Sequence, residues 1–234
     1  MSGIPRLSVV IPVRNEAVRL PALLAELHST PDLVREVMVV DGGSGDASRS
    51  IAMLAGARVL RRTGGRGVQI GAGVAVASSP WLLLLHGDAV LPAGWAHAIG
   101  QAIDHRAAAW YFDLAIADPH PGLRLVELAV ALRSRWRQLP YGDQGLLLPA
   151  DLLRCCGGVR PLPLMEDLEL VERLRKHTRL RSLGLPLQVD GRRWQRLGIW
   201  RTVLDNARLR RAWRQGTSAE VLASAYYGPA LSGG

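Results

Sequence analysis

Cysteine is nearly absent from this chain: two of its 234 residues are cysteines, and they are adjacent, Cys155 and Cys156. Adjacent cysteines give neither a disulfide framework nor the ligand spacing of a zinc site. The N-terminal segment also lacks the apolar stretch and cleavage site of a secretion signal. We therefore expect the protein in a reducing compartment, the cytoplasm.

Aromatic residues are also scarce, at 5% of the chain with a single Phe, which argues against the aromatic platform of common RNA-binding domains. Acidic residues are outnumbered by basic ones, 20 to 29, and the formal net charge is +9. This excess favours an anionic partner: a nucleotide phosphate, a nucleic acid or a lipid surface. The 48% content of hydrophobic residues is typical of a globular domain and argues against disorder.

The stretch from Gly67 to Leu85 carries no charge and is long enough to suggest a membrane span. Ser78, Ser79 and Pro80 interrupt it, so we expect two elements instead. These are a helix rich in Ala, Val and Gly, and a strand at residues 81–85.

Apolar runs alternate with amphipathic segments. Runs typical of buried strands lie at residues 7–11, 37–40, 57–60 and 82–85, and helical spacing occurs at residues 16–28, from 46 onward, at 68–77 and after Pro92. Farther along we expect strands at 108–114 and 145–148 and helices at 123–137 and 166–176. This order predicts an α/β fold: a Rossmann-like, doubly wound, mostly parallel sheet with helices on both faces. No linker divides the chain, so we expect one domain over residues 1–234.

Polar residues follow the first two predicted strands. Strand one leads through Pro12 to Asn15 and Glu16, where a dinucleotide-binding protein would carry G-x-G-x-x-G, and this argues against a Rossmann dehydrogenase. Asp41 ends strand two at the edge where parallel sheets bind ligands, so its carboxylate is a candidate contact for a base or ribose. The alternatives are that Asn15 and Glu16 cap a helix and that Asp41 forms a turn.

A glycine-rich loop and a second acid follow. Gly64–Gly67 carries Arg66 in front of a helix, and it either binds phosphate at the helix N-terminus or is a flexible basic loop. His86, Gly87 and Asp88 follow strand four, where an imidazole and a carboxylate can hold a divalent cation that bridges a diphosphate. The alternative for these three residues is an ordinary turn.

Two polar motifs lie in the second half. Glu166 and Asp167 begin an amphipathic helix, where they either cap the positive helix terminus or supply a general base. The loop at residues 141–145 contains Asp143 and Gln144, and it either contacts an acceptor or only turns the chain.

Basic residues and tryptophans concentrate toward the C-terminus. Arg192, Arg193 and Trp194 suit a diphosphate and a sugar, or they form a solvated basic loop with a buried indole. The segment at residues 200–214 adds four arginines and two tryptophans: Arg208, Arg210, Arg211, Arg214, Trp200 and Trp213. It is typical of a helix on anionic lipid, or of a solvent-facing helix.

In this order, the motifs resemble the family 2 glycosyltransferases of the GT-A fold, and more narrowly the bacterial transferases associated with radical-SAM and selenodomain proteins. The resemblance runs from about Leu7 to Tyr227. It implies a nucleotide-sugar-binding half at about residues 5–105, an acceptor and catalytic half at about 106–195, and C-terminal helices at about 196–227.

The resemblance also implies a reaction: inverting transfer of a sugar from a UDP- or GDP-type donor to a hydroxyl acceptor, with Mg²⁺ or Mn²⁺. Asp167, with Glu166 beside it, matches the family's E-D pair and would be the catalytic base. Asp88 matches the last acid of the D-x-D motif and would hold the metal with His86. The implied nucleotide-sugar contacts are Pro12, Asn15, Glu16, Asp41, Arg66, His86, Gly87, Asp88, Arg192, Arg193 and Trp194, and the implied acceptor contacts are Asp143 and Gln144.

The chain departs from the family pattern at two places. It has Asp41-Gly42-Gly43-Ser44 where many relatives show Asp-Asp-Gly-Ser, which removes one carboxylate near the base or ribose. It also has His86 where D-x-D begins, which replaces a hard oxygen ligand with an imidazole.

Two other functions compete with this interpretation. A nucleotidyltransferase would need a glycine-rich, lysine-bearing loop after strand one, which residues 12–15 do not supply. A non-enzymatic basic nucleic-acid-binding protein would explain the net charge and would bind with a steep salt dependence. The resemblance favours a cytoplasmic enzyme with no nucleic-acid partner, and contact of its C-terminal basic helix with the inner face of the membrane is a further option.

Overall fold

The structure, a computed structural model, describes residues 7–104 and 108–227. Within these residues the strands are β1 (Leu7–Val13), β2 (Val34–Asp41), β3 (Arg58–Arg61), β4 (Trp81–Leu84), β5 (Ala108–Ala117), β6 (Leu146–Pro149) and β7 (Arg179–Asp190). The helices are α1 (Leu20–His28), α2 (Ser48–Leu54), α3 (Arg66–Val76), α4 (Trp95–Asp104), α5 (Pro121–Arg137), α6 (Ala150–Cys155), α7 (Glu166–Leu174), α8 (Arg192–Leu197), α9 (Ile199–Arg214) and α10 (Ala219–Tyr227). A turn of 3₁₀ helix covers Gly142–Gln144.

The described strands form one seven-stranded sheet in the order β3-β2-β1-β4-β6-β5-β7. β1 pairs in parallel with β2 and β4, and β5 pairs in parallel with β7. β6 is the exception, because it runs antiparallel to both β4 and β5. The predicted α/β fold with a mostly parallel sheet is confirmed, and the carboxyl ends of β1, β2 and β4 meet at one edge.

Helices cover both faces of the sheet, as the alternation of elements predicted. Val9 and Ile11 of β1 contribute to the core shared with α1, α2 and α4, whereas Val10 contributes to the core shared with α3, α7 and α10. This division follows from the strand itself, since successive side chains point to opposite faces. α3 lies very close to the sheet, because a Cβ on Gly73 would be 2.4 Å from Cγ1 of Val10.

The uncharged stretch from Gly67 to Leu85 forms most of α3 and all of β4, with a break between them. The prediction of two elements is therefore confirmed. In the part of the chain that the structure describes, no helix combines the length and the apolar character needed to cross a bilayer.

The first helix starts later than predicted, at Leu20 instead of Glu16. Asn15 has a left-handed backbone (φ 60°), and the carbonyl of Glu16 accepts hydrogen bonds from the N–H groups of Arg19 and Leu20. The chain therefore turns before α1 begins. Neither Asn15 nor Glu16 caps this helix, so that alternative is wrong.

Three elements of the second half were not predicted: α6, β7 and α8. β7 contains Gly184, with φ 72°, and Pro186, and its pairing with β5 shifts register between Tyr111 and Asp113. These residues interrupt the alternation that marks a strand, and proline is tolerated because β7 is at the sheet edge. The segment that begins with Arg192 was expected as a loop and forms the short helix α8.

Candidate active site

The loops that follow β1 and β2 are joined at the edge where the parallel strands end. The side-chain oxygen of Asn15 accepts a hydrogen bond from the N–H of Gly45 at 2.8 Å. The N–H of Asn15 donates to Oγ of Ser44 at 3.0 Å, and that of Glu16 donates to Oγ of Ser48 at 2.8 Å. These contacts fix the position of Asn15 and Glu16 next to the turn after β2.

Asp41 closes that turn. Its carboxylate accepts hydrogen bonds from the N–H groups of Gly43 (3.3 Å) and Ser44 (3.0 Å), and the residue is 2% exposed. The turn-forming role weighed above is thus present in the structure. Contact between Asp41 and a nucleotide base stays a prediction.

Gln69 of α3 ties the ends of the first two strands together. Its side-chain nitrogen donates to the carbonyl of Val13 at 3.1 Å and to that of Val40 at 2.6 Å. Pro12 lies buried in β1 next to this contact. Gln69 was not predicted as a site residue, although it is the single polar side chain in residues 67–77.

Charged groups from the loop after β1, from β7 and from α8 lie around Asp88. The N–H of Asp190, at the end of β7, lies 3.4 Å from Oδ2 of Asp88, and the carboxylate of Asp190 pairs with Arg19 at 3.0 Å. Arg192 pairs with Asp190 and lies 3.8 Å from Glu16. Burial and the negative charge of Asp88 raise the pKa of Glu16 to about 7. Arg19 and Asp190 were not predicted, because nothing in the sequence placed β7 beside this loop.

A second cluster forms where α7 begins, and we call it the α7 cluster: Arg66, His86, Glu166 and Asp167. Nε of Arg66 lies 2.8 Å from Oε1 of Glu166, whose side chain is 2% exposed. Oδ2 of Asp167 accepts a hydrogen bond from the N–H of Gly142 at 2.9 Å, and its Oδ1 accepts from the next backbone N–H at 2.7 Å. A Cβ on Gly142 would be 2.9 Å from Nε2 of His86, which places the imidazole beside the same turn.

Burial and charge set the protonation of the α7 cluster. Burial raises the pKa of Glu166 to about 7, although Arg66 opposes this. Burial and the positive charge of Arg66 lower the pKa of His86 to about 4, so the imidazole is neutral at neutral pH. Burial alone lowers the pKa of Arg66. Glu166, Tyr227 and Asp167 raise this pKa by a larger amount, so the guanidinium stays cationic.

The donors near the sheet edge fit a cation that is shared with a substrate. Among residues 7–104 and 108–227, no three His, Cys, Asp or Glu side chains are grouped as an all-protein metal site. His86 and Asp88 offer a neutral imidazole and a carboxylate. Because Mg²⁺ is commonly bound by one or two carboxylates together with substrate phosphates, two protein donors suffice for such a shared ion.

Gln144 holds the 3₁₀ turn from inside the protein. It is 0% exposed, and its side-chain oxygen accepts hydrogen bonds from Oγ of Ser134 (2.9 Å) and the N–H of Tyr141 (3.3 Å). Its side-chain nitrogen donates to the carbonyl of Phe112 at 3.1 Å. Acceptor contact by Gln144 stays a prediction, and the structure gives this residue a supporting position.

Asp143 has an unsatisfied oxygen, since its Oδ1 is buried without a hydrogen-bond partner. Burial raises the pKa of its carboxyl group, while the guanidinium of Arg133 lowers it. Arg133 lies over the ring of Tyr141, 3.7 Å from the centroid. Arg133 was not predicted, because a single arginine within a helical pattern gives no sign of the loop that it faces.

Arg192, Arg193 and Trp194 were expected as one set of donor contacts, and the helical backbone of α8 points them in different directions. Arg192 faces Glu16, as described above. Arg193 lies over the ring of Tyr226 at 3.8 Å from the centroid, and Trp194 packs against the small core formed by β5, α5 and β7. Of the three, Arg192 is the residue placed beside Asp88.

A small cavity of about 30 Å³ lies inside the site. Its lining includes His86, Tyr141 and Asp167, together with leucines of β4, β6 and α7. This volume suits a water-sized group next to the carboxylate of Asp167.

The model of the family described as Glycosyl transferase family 2 matches residues 8–154, which is more than half of the chain. The match includes the loops after β1, β2 and β4 and the 3₁₀ turn. No curated protein matches the sequence significantly.

Crystal structures of two bacterial proteins are similar in fold. Glucosyl-3-phosphoglycerate synthase from Mycobacterium tuberculosis, in complex with phosphoglyceric acid, is 19% identical with a TM-score of 0.57, over 79% of this chain and 71% of that one. Residues 1–349 of S. aureus TarS are 16% identical with a TM-score of 0.63, over 80% of this chain and 60% of that one. Another crystal structure of the synthase contains Mn²⁺, uridine-diphosphate-glucose and phosphoglyceric acid, at 19% identity and a TM-score of 0.55, over 77% of this chain and 70% of that one. At these identities the likeness shows the fold, which is of the predicted GT-A type.

Proposed function

Since this chain belongs to glycosyl transferase family 2, we propose that it transfers a sugar from a UDP- or GDP-type donor to a hydroxyl acceptor with inversion at the anomeric carbon. The observation that carries the proposal is the position of Asp167. Two backbone N–H groups hold its carboxylate beside His86, at the edge where the parallel strands end. The solved synthase with Mn²⁺ and uridine-diphosphate-glucose supports the choice of donor class.

In the proposed reaction Asp167 takes the proton of the acceptor hydroxyl while that oxygen bonds to the anomeric carbon. The bond from the anomeric carbon to the diphosphate oxygen breaks on the opposite face, and the nucleoside diphosphate leaves. Arg66 and Arg192 add positive charge on the donor side, which favours the charge that develops on the leaving group. Glu166 keeps Arg66 in place through their ion pair.

His86 and Asp88 would hold Mg²⁺ or Mn²⁺, which would neutralise charge on the donor diphosphate. The remaining donor contacts belong to the same proposal: Pro12, Asn15, Glu16, Asp41, Gly87, Arg193 and Trp194. So does the division of the chain into a donor half at about residues 5–105 and an acceptor half at about 106–195.

Asp167→Asn tests the base directly. The amide cannot take a proton, so we expect turnover of the donor to fall by about 10²–10⁴-fold while donor binding is retained. Thermal shifts with a panel of nucleotide sugars, with and without Mn²⁺, measure binding, and release of the nucleoside diphosphate measures turnover. Asp151→Asn is the matched control, because Asp151 is exposed and pairs with Arg154 of the same helix. Full turnover by Asp167→Asn would disprove the assignment.

The product separates this proposal from its competitors. A nucleotidyltransferase releases pyrophosphate from a nucleoside triphosphate, whereas the proposed enzyme releases a nucleoside diphosphate from a nucleotide sugar. A nucleic-acid-binding protein would bind RNA with a steep salt dependence and would show no thermal shift with any nucleotide sugar.

Narrower predictions from the sequence stay part of the proposal: the radical-SAM and selenodomain-associated subgroup, the bacterial origin and the cytoplasmic location. Contact of α9 with an anionic membrane is also a proposal. Trp200 is 63% exposed on this helix, but Trp213 packs into the core and Arg214 lies 3.8 Å from Glu172 of α7. The helix therefore offers only part of its basic and aromatic residues to a surface.

A further inference from the structure

A groove of about 560 Å³ lies between α5 and α9, next to the α7 cluster but outside it. Its volume is in the range of sites that bind small molecules. Most of its lining is apolar and includes Leu114, Val126, Val130, Trp194, Trp200 and Val203. Such a lining favours a ligand with an apolar part.

One end of the groove is polar and adjoins the proposed base. Tyr141 lines both the groove and the small cavity, and Asp167 also lines that cavity. Asp143, with its unsatisfied buried Oδ1, also lines the groove. The polar end of the groove is therefore separated from the carboxylate of Asp167 by one side chain, that of Tyr141.

The charge at this polar end is positive. Arg133 and Arg210 lie over the same ring of Tyr141, at 3.7 and 5.7 Å from its centroid, and both line the groove. Among the described residues, the ion pairs of α9 involve Arg201, Arg208 and Arg214, and Arg210 has no carboxylate partner. The groove lining contains three arginines, Arg133, Arg137 and Arg210, and one carboxylate, that of Asp143. An anionic group on the ligand would balance this excess.

We infer that the groove is the acceptor site, and that the acceptor is an amphiphile with an apolar chain and an anionic group next to the hydroxyl that receives the sugar. The inference rests on the proposed function and names its acceptor class. The chain would lie between α5 and α9, the anion would pair with Arg133 and Arg210, and the hydroxyl would reach Asp167 past Tyr141.

The far end of the groove supports a ligand with a long chain. Leu125 and Trp200 line this region and are 60% and 63% exposed. Exposed apolar side chains at a groove mouth are covered when a chain passes over them. The concave shape favours one bound chain over a flat lipid surface.

Three probes separate the parts of this ligand: 1-octanoylglycerol 3-phosphate has chain, anion and hydroxyl, glycerol 3-phosphate lacks the chain, and 1-octanoylglycerol lacks the anion. We expect the first to bind about tenfold or more tightly than either of the others. Tryptophan fluorescence reports binding, since Trp136, Trp194 and Trp200 line the groove. Calorimetry gives the affinities, and donor binding is measured separately by thermal shift.

Two variants test the location. Ala129→Trp fills the groove, and we expect it to weaken binding of the full amphiphile by about tenfold or more. Ala207→Trp makes the same change on α9 outside the groove lining and should leave the affinity unchanged. Arg210→Met should weaken binding of the phosphate-bearing amphiphile by about tenfold without affecting 1-octanoylglycerol, and Arg201→Met is its control.

The inference is overturned if the three probes bind alike, or if Ala129→Trp and Arg210→Met leave the amphiphile affinity unchanged. It is also overturned if anionic vesicles bind with an affinity that Ala129→Trp does not alter while the monomeric amphiphile does not bind, which would indicate a membrane surface. Failure of every nucleotide sugar to bind would instead remove the proposed function. The two failures are therefore distinguishable.

Discussion

Gly142 shows how one backbone group positions the side chain that we propose as the base. Its N–H donates to Oδ2 of Asp167 at 2.9 Å, and a Cβ there would be 3.2 Å from that oxygen and 2.9 Å from Nε2 of His86. The site thus needs an N–H and no side chain at this position. Asp167 consequently depends for its orientation on a turn that lies on a different element.

Gly142→Ala is expected to lower donor turnover by about tenfold to a hundredfold with little change in the unfolding free energy. The added methyl group displaces His86 or Asp167, and small misplacements of catalytic groups are costly. Nucleoside diphosphate release and urea denaturation measure the two quantities. Gly100→Ala is the control, because a Cβ there meets nothing within 4 Å. Equal turnover by both variants would contradict the role assigned to this N–H.

Part of the candidate site could be predicted residue by residue. Asp88 and Asp167 were marked by their positions after an apolar strand and at a helix start, and such positions are recognisable from sequence. Arg19, Arg133 and Asp190 were not, because their proximity to the site depends on the order of strands and on helix packing. Asp41 was predicted as a ligand contact, and the structure adds that its carboxylate holds a turn.

Among the elements, α3 connects the two halves of the proposed site. Its first residue, Arg66, reaches Glu166 of α7, and Gln69 reaches the ends of β1 and β2. Its close approach to the sheet at Gly73 makes both contacts possible.

Gly73→Ala is therefore expected to destabilise the fold by about 1–3 kcal/mol, because the added methyl group would lie 2.4 Å from Cγ1 of Val10 in a filled core. Urea denaturation measures the change. Gly100→Ala, in the open part of α4, should be neutral or stabilise by up to about 1 kcal/mol. A Gly73→Ala protein as stable as the unmodified chain would show that α3 can shift away from the sheet.

Whether a strand could be predicted from the sequence depends on how completely it is buried. β1, β4 and residues 37–40 of β2 are buried on both faces, so their sequences are short, mostly apolar runs that are recognisable as strands. β7 is an edge strand with alternating exposure, a glycine at φ 72° and a proline, and it gave no such run. The antiparallel direction of β6 could not be predicted from the hydrophobic pattern either, because the sequence of a four-residue strand does not indicate its direction in the sheet.

For the whole molecule, buried ionisable groups make stability depend on pH. Burial raises the pKa of Glu166 from 4.5 to about 7, with Arg66, Asp167 and Tyr227 facing it. A raised pKa means that the neutral carboxyl is favoured in the folded state. Its contribution to stability is therefore complete below about pH 4.5 and is lost as the pH rises to about 7. The lowered pKa of His86 acts in the opposite direction, since it stabilises the fold as the pH rises from about 4 to 6.5.

Because these effects overlap, the informative quantity is the unfolding free energy of the unmodified protein minus that of Glu166→Gln. We expect this difference to fall by on the order of 1–3 kcal/mol as the pH rises from about 4.5 to about 7. Urea denaturation at a series of pH values measures it, and Glu172→Gln controls for the loss of one carboxylate. A difference that rises with pH would show that Arg66 outweighs burial at Glu166.

The insertion of β6 between β4 and β5 has a consequence for synthesis on the ribosome. Residues 7–104 emerge before the rest of the sheet and contain four parallel strands that can pair with one another at once. A nascent polypeptide that has reached residue 140 already carries Asp41 and Asp88, yet it has neither the N–H of Gly142 nor Asp167. Under the proposed function, a newly made chain would therefore acquire its base only after translation has passed β6, the strand that links β4 to β5.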